Sequence, residues 1–313
     1  MAGLARHSPA RLGANESPGA SGAKGTMTSH PETTGHRCRG LADLVASMSY
    51  EVLPFASTEE RVLAEVPTSV PLSITVTEAR GLDVTLDLAE RLVRHGYHAT
   101  PHLAARQFVD QRHLAEVIDR LRSAGVRSVF VIGGDAPEPA GRFADAGALL
   151  RTMRELDHPF DEVGIGGYPE GHAAIPRAAL DHAFAVKAPL ATRVVTQICF
   201  DARTTVGWAA TVAASGVDLA VHIGIPGPVH RRKLARISAG LGLGPSARFL
   251  RKQQSLFWRL FLPGGYRPTS LARDLGAALP AGNVAGLHVF TFNELGETER
   301  WRRRLLATTS GTS

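Results

Sequence analysis

Short apolar segments alternate with amphipathic, helix-like segments along most of this chain, and this alternation limits the possible folds more than any other feature. Strands that alternate with helices form parallel sheets. Eight strands within about 250 residues favour closure into a barrel, although spacing alone leaves an open doubly wound sheet as the alternative. We therefore predict an α/β protein that forms a single (β/α)8 TIM barrel. The predicted strands are Ser49–Phe55, Leu72–Thr77, Ala99–Leu103, Ser128–Gly133, Val163–Tyr168, Arg193–Phe200, Leu219–Ile225 and Leu287–Phe292.

The segments between the strands support the same architecture. Leu82–His95 and Gln111–Ala124 have the periodicity of amphipathic helices. The stretch from Gly227 to Gly286 is longer than one helix needs, which predicts extra helices before the last strand. A dinucleotide-binding Rossmann unit is disfavoured, because no G-x-G-x-x-G sequence follows the first strand.

Composition indicates a folded domain behind a polar tail. Residues 1–40 are rich in small and polar residues without periodicity, so we expect a disordered tail before a barrel over residues 41–313, with Met27 as an alternative start. Cys38 and Cys199 have neither the number nor the spacing of a disulfide framework or a zinc site. We therefore expect no metal and a reducing, cytoplasmic setting. No apolar run approaches the roughly 20 residues that span a bilayer, so we expect no membrane contact.

Basic residues exceed acidic ones, and the excess is local. The formal net charge is +6 at pH 7, and aromatic residues make up only 6% of the chain. No nucleic-acid-binding signature accompanies the charge, so we expect no nucleic-acid partner. An anionic small ligand or a solvated surface explains the charge equally well. The clustered basic residues are Arg231, Arg232, Lys233, Arg236, Arg248, Arg251, Lys252, Arg259, Arg302, Arg303 and Arg304.

Polar residues at the ends of the predicted strands form the candidate site, because the carboxyl ends of the strands carry the active face in barrels of this kind. Glu51 is the sharpest signal, since an unpaired charge within an apolar strand is costly. Burial would raise its pKa and keep it protonated, as a general acid requires. A structural carboxylate paired with Arg or Lys is the alternative. The other strand-end residues are Thr75, Thr77, His102, Asp135, Tyr168, Glu170, His172, Gln197, Asp201, Thr291 and Asn293.

Three of these residues have a structural explanation beside the functional one. His102 suits a hydrogen-bonded structural histidine as well as a catalytic group. Asp135 follows Gly133 and Gly134, which permit close backbone approach to a ligand, but it also suits a helix N-cap. Gln197 offers a donor and an acceptor to a heterocycle or to a neighbouring strand.

Six short segments, each on its expected strand, carry a likeness to one known family. They are Ser49–Pro54 (SYEVLP), Pro101–Leu103 (PHL), Gly134–Asp135 (GD), Gly167–His172 (GYPEGH), Thr196–Asp201 (TQICFD) and His288–Asn293 (HVFTFN). Together they resemble the methylenetetrahydrofolate reductase family, a flavin-containing (β/α)8 barrel that reduces methylene-tetrahydrofolate to methyl-tetrahydrofolate. The likeness extends over about residues 48–306.

The resemblance implies specific roles for the strand-end residues. Glu51 would be the general acid acting on folate N10. Asp135 would support the pterin and tune the flavin, and Gln197 would hold the pterin ring. The implied cofactor is FAD, with NADH or NADPH as electron donor, a folate substrate and a homo-oligomeric assembly. The implied FAD contacts are Thr75, His102, Gly134, Asp135, Tyr168, His172, Asp181 and Lys187.

The chain also departs from the family at positions that contact the flavin. Gly133 stands where the family has arginine, Phe143 where it has tyrosine, and Phe184 where it has asparagine. These changes remove polar contacts to the flavin phosphates and ribose. A second hypothesis is therefore a non-redox or flavin-free folate-binding barrel that acts in one-carbon or methyl-group transfer or demethylation.

Overall fold

A computed structural model of the chain describes residues 37–172, 175–229, 267–279 and 283–310. Within them, eight parallel strands form a closed barrel in chain order. The last strand pairs with the first, with Ser49 opposite His288 and Glu51 opposite Phe290. This pairing confirms the predicted barrel and excludes the open sheet. The basic residues between 230 and 266 lie outside the described residues.

The elements alternate as expected from the sequence. The strands are β1 (Ser49–Val52), β2 (Leu72–Ile74), β3 (Ala99–Ala104), β4 (Ser128–Ile132), β5 (Glu162–Gly167), β6 (Arg193–Thr196), β7 (Ala220–Pro226) and β8 (Val284–Phe290). The α-helices of the described ranges are α1 (Leu41–Ala46), α2 (Thr58–Glu65), α3 (Asp83–Arg94), α4 (Gln111–Ser123), α5 (Ala146–Glu155), α6 (Arg177–Lys187), α7 (Ala202–Ala214), α8 (Pro268–Ala278) and α9 (Leu295–Ser310).

Helix α4 shows how the sequence builds the outer layer. Leu114, Val117, Ile118 and Leu121 recur at helical spacing and are all buried, so one apolar stripe packs toward the sheet. Asp110 begins the helix as its N-cap, where the side chain accepts a hydrogen bond from the backbone N–H of His113. Asp145 and Asp201 cap α5 and α7 in the same way. Asp201, a strand-end candidate, thus has a structural role.

The described chain begins next to the barrel. Cys38 is 4% exposed, and its backbone N–H donates to the carbonyl of Val284 on β8 at 2.8 Å. Cys38 and Cys199 are both buried free thiols. None of the described helices is long and apolar enough to cross a bilayer.

Helix α9 is tied to the outside of β1 by a buried hydrogen bond. The hydroxyl of Tyr50 donates to Glu299 at 2.9 Å, and Glu299 also pairs with Arg302 and Arg303 at 2.9 and 2.8 Å. Both arginines lie on α9 itself, so they offset the charge of Glu299 within the helix, and the bond from Tyr50 is the one that joins the helix to β1.

Candidate active site

The barrel interior carries polar side chains where most barrels pack branched apolar residues. Contacts between non-adjacent strands show this, because such strands meet only across the interior. Arg193 Nη2 on β6 donates to Thr100 Oγ1 on β3 at 3.1 Å, and Glu51 Oε2 on β1 lies 3.9 Å from His102 Nε2 on β3. Glu51 therefore faces the inside of the barrel and not its helix-covered wall.

Two histidines flank one oxygen of Glu51, and a serine holds each histidine. Glu51 Oε2 lies 3.4 Å from His288 Nε2, in addition to its contact with His102. The Oγ of Ser49 lies 3.0 Å from His288 Nδ1, and the Oγ of Ser73 lies 2.7 Å from His102 Nε2. The ion-pair contacts of Glu51 among the described residues are to these imidazoles and not to Arg or Lys.

Burial controls the charge of this group. The Glu51 side chain is 17% exposed, and loss of solvation raises its pKa from 4.5 to about 7, although His102 opposes the shift. Burial lowers the pKa of His102 to about 4 against the opposing effect of Glu51. Burial also lowers the pKa of His288 to about 3, with Arg193 adding to the effect. Near neutral pH the site thus holds a carboxyl group that readily gives up a proton beside two uncharged imidazoles.

A second polar group in the barrel interior centres on Arg193. Its Nη1 lies 3.3 Å from Glu162 Oε2 on the adjacent β5, and its partner Thr100 contacts Ser128 on β4 at 2.5 Å. His222 on β7 is 7% exposed, and burial together with Arg193 lowers its pKa to about 3. These residues were not among the predicted site residues. The sequence carries a signal for two of them, because Glu162 and Arg193 are charged residues at the starts of the apolar strands β5 and β6.

The end of β8 is fastened to the end of β1, next to Glu51. Thr291 Oγ1 donates to the Glu51 carbonyl at 2.6 Å. Asn293 Oδ1 accepts from the Leu53 N–H at 2.8 Å, and its Nδ2 donates to the Leu53 carbonyl at 3.0 Å. Phe292 and Asn293 have φ values of +50° and +57°, so this turn holds a backbone conformation that non-glycine residues rarely adopt. Thr291 and Asn293 therefore position the end of β1.

The loop after β4 carries Gly134 and Asp135 at the rim of the barrel. Gly134 has a φ of +91°, and a Cβ added there would lie 3.1 Å from Ala104 Cβ, so the turn depends on glycine. Asp135 is exposed, and its charge adds to the burial that raises the pKa of Tyr168. The N-cap of α5 is Asp145, so the N-cap interpretation of Asp135 is wrong.

Arg106 clamps this loop from the turn after β3. Its Nε donates to the Ala144 carbonyl at 3.0 Å, and its Nη1 donates to the carbonyls of Ala136 and Pro137 at 2.8 and 3.1 Å. Its backbone N–H also donates to the Gly133 carbonyl at 3.0 Å. The segment that carries Asp135 is therefore fixed at both ends.

The loop after β5 joins the same rim. The rings of Tyr168 and His172 meet edge to face, 5.7 Å apart. Glu170 Oε1 accepts the backbone N–H groups of Phe200 and Asp201 at 2.6 and 2.8 Å. This carboxylate ties the loop after β5 to the segment that follows β6.

The remaining predicted site residues occupy different places. Gln197 lies directly after β6, where its Oε1 accepts the backbone N–H of Ile198 at 2.8 Å. Lys187, near the end of α6, reaches back to β5 and donates to the Gly166 carbonyl at 3.2 Å. Asp181 is exposed on α6, where it pairs with an arginine of the same helix. The described contacts thus group Glu51 with His102, and Asp135 with Tyr168 and His172, but do not join Asp181 to either group.

Three buried polar atoms near the ends of β2 and β3 have no hydrogen-bond partner within the described part of the chain. They are Thr75 Oγ1, Thr77 Oγ1 and Gln107 Oε1. Buried polar atoms are normally bonded. This part of the rim is therefore suited to the polar groups of a ligand.

The family departures have a clear structural result. Phe143 is 1% exposed and belongs to the apolar core. Phe184 packs against Trp208, with ring centroids 5.5 Å apart. A Cβ at Gly133 would meet nothing within 4 Å. Two departures thus add apolar packing, and the third leaves open space.

A closed parallel barrel with a buried acid at the end of β1 defines a (β/α)8 barrel protein with a candidate ligand site at the carboxyl ends of its strands. The family model for methylenetetrahydrofolate reductase matches residues 46–239. The chain therefore belongs to the methylenetetrahydrofolate reductase family, which confirms the resemblance.

Individual relatives are distant. A 5,10-methylenetetrahydrofolate reductase from Pectobacterium carotovorum subsp. carotovorum is 27% identical over 139 residues, which are 42% of this chain and 44% of that protein. Methylenetetrahydrofolate reductase 2 from Saccharomyces cerevisiae is 22% identical over 206 residues, 57% of this chain and 32% of that protein. The chain thus matches less than half the length of either relative.

A solved structure shares the fold. It is an uncharacterised protein from Clostridium thermocellum that binds two copies of 5-methyl-5,6,7,8-tetrahydrofolic acid. It superposes with a TM-score of 0.53 at 9% identity and covers 87% of this chain and 98% of that one.

Proposed function

We propose that this protein is an oxidoreductase that interconverts 5,10-methylenetetrahydrofolate and 5-methyltetrahydrofolate, with NADH or NADPH as the electron donor and bound FAD. The observation that carries the proposal is Glu51, a carboxyl group inside the barrel whose burial raises its pKa to about 7. Membership of the family supports it. A cytoplasmic location and a homo-oligomeric assembly stay predictions.

Glu51 performs the acid step. It gives its proton to folate N10, the bond between N10 and the methylene carbon breaks, and the N5 iminium cation that remains accepts a hydride at the methylene carbon to become the methyl group. Asp135 and Gln197 hold the pterin in this proposal. FAD, when bound, supplies the relay of hydride from NAD(P)H.

Several described residues fit a flavin. The buried hydroxyl oxygens of Thr75 and Thr77 and the amide oxygen of Gln107 are available to polar groups of a bound cofactor. Gly134 allows close approach to the backbone of the loop after β4. Lys187 places a partly buried cation against β5, where it suits an anionic group.

A specific observation also supports the second hypothesis, a non-redox or flavin-free folate-binding barrel in methyl-group transfer or demethylation. Phe143 and Phe184 are committed to apolar packing, so the polar contacts that the family directs to the flavin are missing there. The Clostridium thermocellum protein that shares this fold binds methyl-tetrahydrofolate, which fits a folate ligand without deciding the chemistry.

An absorption spectrum of the purified full-length chain between about 350 and 500 nm, followed by titration with NADH or NADPH, tests the cofactor. We expect a flavin spectrum that bleaches on reduction. A colourless protein that binds methyl-tetrahydrofolate and oxidises neither nucleotide would establish the second hypothesis instead.

A matched pair of variants tests the acid. Glu51→Gln is expected to abolish reduction of methylene-tetrahydrofolate while NAD(P)H oxidation by a quinone continues, because only the folate step needs the proton. Glu116→Gln makes the same isosteric change at an exposed carboxylate of α4 and should retain both activities. Parental folate reduction by Glu51→Gln would show that another group is the acid.

A further inference from the structure

Ser49, His288 and Glu51 form a connected array where β1 meets β8. Ser49 and Glu51 are two residues apart on β1, so their side chains lie on the same face of the strand. His288 is the register partner of Ser49, which places its imidazole between the two, 3.0 Å from the hydroxyl and 3.4 Å from the carboxyl oxygen. All three side chains face the barrel interior.

We propose that Ser49 and His288 are positioning residues that fix the tautomer facing Glu51, so that Nε2–H of His288 donates to Oε2 and Oε1 presents the proton to the substrate. This inference rests on the proposed function. The acid must serve in two states, first as a carboxylic acid and then as a carboxylate. A carboxylate only accepts hydrogen bonds, so its contact with Nε2 is attractive only when that nitrogen carries the proton.

In this proposal Ser49 fixes the tautomer by acting as the donor to Nδ1 of His288. An uncharged imidazole has one N–H, and its other nitrogen accepts a hydrogen bond. When the Ser49 hydroxyl donates to Nδ1, the ring proton stays on Nε2, facing Glu51. Ser49 is 7% exposed, so bulk water does not compete freely for this hydroxyl.

The surroundings keep His288 uncharged. His102 on β3, held by Ser73, lies on the other side of Glu51 Oε2. Arg193 on β6 opposes protonation of His288, and Glu162 on β5 pairs with that arginine at 3.3 Å. His222 on β7 is a further titratable group facing this space. A protonated His288 would pair with Glu51 and convert it into a carboxylate, which would remove the acid.

The test compares Ser49→Ala, His288→Leu and His288→Gln with the parent. The Gln side chain keeps an N–H near the position of Nε2, and Ser128→Ala is the control because Ser128 is a buried serine of the same interior bonded to Thr100 and not to either imidazole. Infrared difference spectroscopy follows the carboxyl C=O band of Glu51, which is assigned by its loss in Glu51→Gln. Steady-state kinetics of folate reduction give kcat, KM and their pH profiles.

In His288→Leu and Ser49→Ala we expect the Glu51 titration midpoint to move to higher pH, since the carboxylate loses a donor, and kcat to fall about tenfold or more with little change in KM. His288→Gln should recover most of the midpoint shift and of the fall in kcat that His288→Leu causes. Ser128→Ala should leave the Glu51 midpoint unchanged. A Glu51 midpoint that stays parental in both Ser49→Ala and His288→Leu would overturn the inference. If the parent reduces no folate, the proposed function fails, but the infrared titration still decides whether Ser49 and His288 control Glu51.

Discussion

The buried carboxyl of Glu51 predicts that Glu51→Gln is stabilised relative to the parent at alkaline pH. Burial raises the pKa of Glu51 from 4.5 in the unfolded chain to about 7 in the folded protein. The folded state therefore binds this proton more tightly, and the resulting stability is complete below pH 4.5 and lost as the pH rises through 7. Gln is neutral at every pH, so Glu51→Gln does not lose this stability as the pH rises.

The size of the effect follows from the pKa. A change from 4.5 to about 7 corresponds to about 3 kcal/mol in the free energy of unfolding, at 1.36 kcal/mol per pKa unit. For a barrel of this size, about 3 kcal/mol equals roughly 5 °C in melting temperature. Between pH 5 and 8.5, where roughly three quarters of this free energy is lost, the melting temperature of Glu51→Gln should thus gain about 4 °C on that of the parent.

The difference between the two proteins is the informative quantity. His102, His222 and His288 have lowered pKa values, so both proteins lose stability as the pH falls below 6.5, and this contribution largely cancels. Melting followed by circular dichroism at constant ionic strength gives the difference at each pH. Glu116→Gln controls for the substitution itself and should follow the parent. A constant difference between parent and Glu51→Gln over the whole range would refute the assigned burial of Glu51.

Two further predictions concern the surroundings of the acid. Arg193→Met removes the partner of the buried Glu162 and should lower the free energy of unfolding, measured with urea, by about 3–5 kcal/mol. The double variant Arg193→Met/Glu162→Leu should recover most of that loss. Equal losses in the single and double variants would contradict this prediction. Gly134→Ala places a side chain on a residue with a φ of +91° and should lower the free energy of unfolding by about 1–3 kcal/mol. It should also weaken binding of methyl-tetrahydrofolate, as measured by calorimetry. Parental stability would show that the turn tolerates a side chain.

The order and number of the strands could be predicted because apolar periodicity reports the sheet directly. The end of β6 could not. Ile198, Cys199 and Phe200 are apolar and extend the predicted strand, yet β6 ends at Thr196. There the Thr196 side chain accepts the Gly224 N–H at 2.8 Å, so a side chain replaces the next backbone partner of the sheet.

Glu51 could be identified in the sequence because a carboxylate interrupts an apolar strand. The residues that surround it in the barrel could not be predicted. His288 is 237 positions away along the chain, and only barrel closure brings the two together. Arg193 and Glu162 open their strands, where charged residues normally face solvent. Their inward direction depends on register, which local sequence does not specify.

The turn that contains Thr291 and Asn293 means that Glu51 is held in place only after the last strand of the barrel has been synthesised. Both residues grip β1 across 240 positions of chain, so a ribosome-bound chain that ends before β8 has its first strand without this support. If Glu51 acts as the proposed acid, its proton transfer should therefore depend on a docked β8, and a chain truncated before Thr291, which also lacks α9, should lose it.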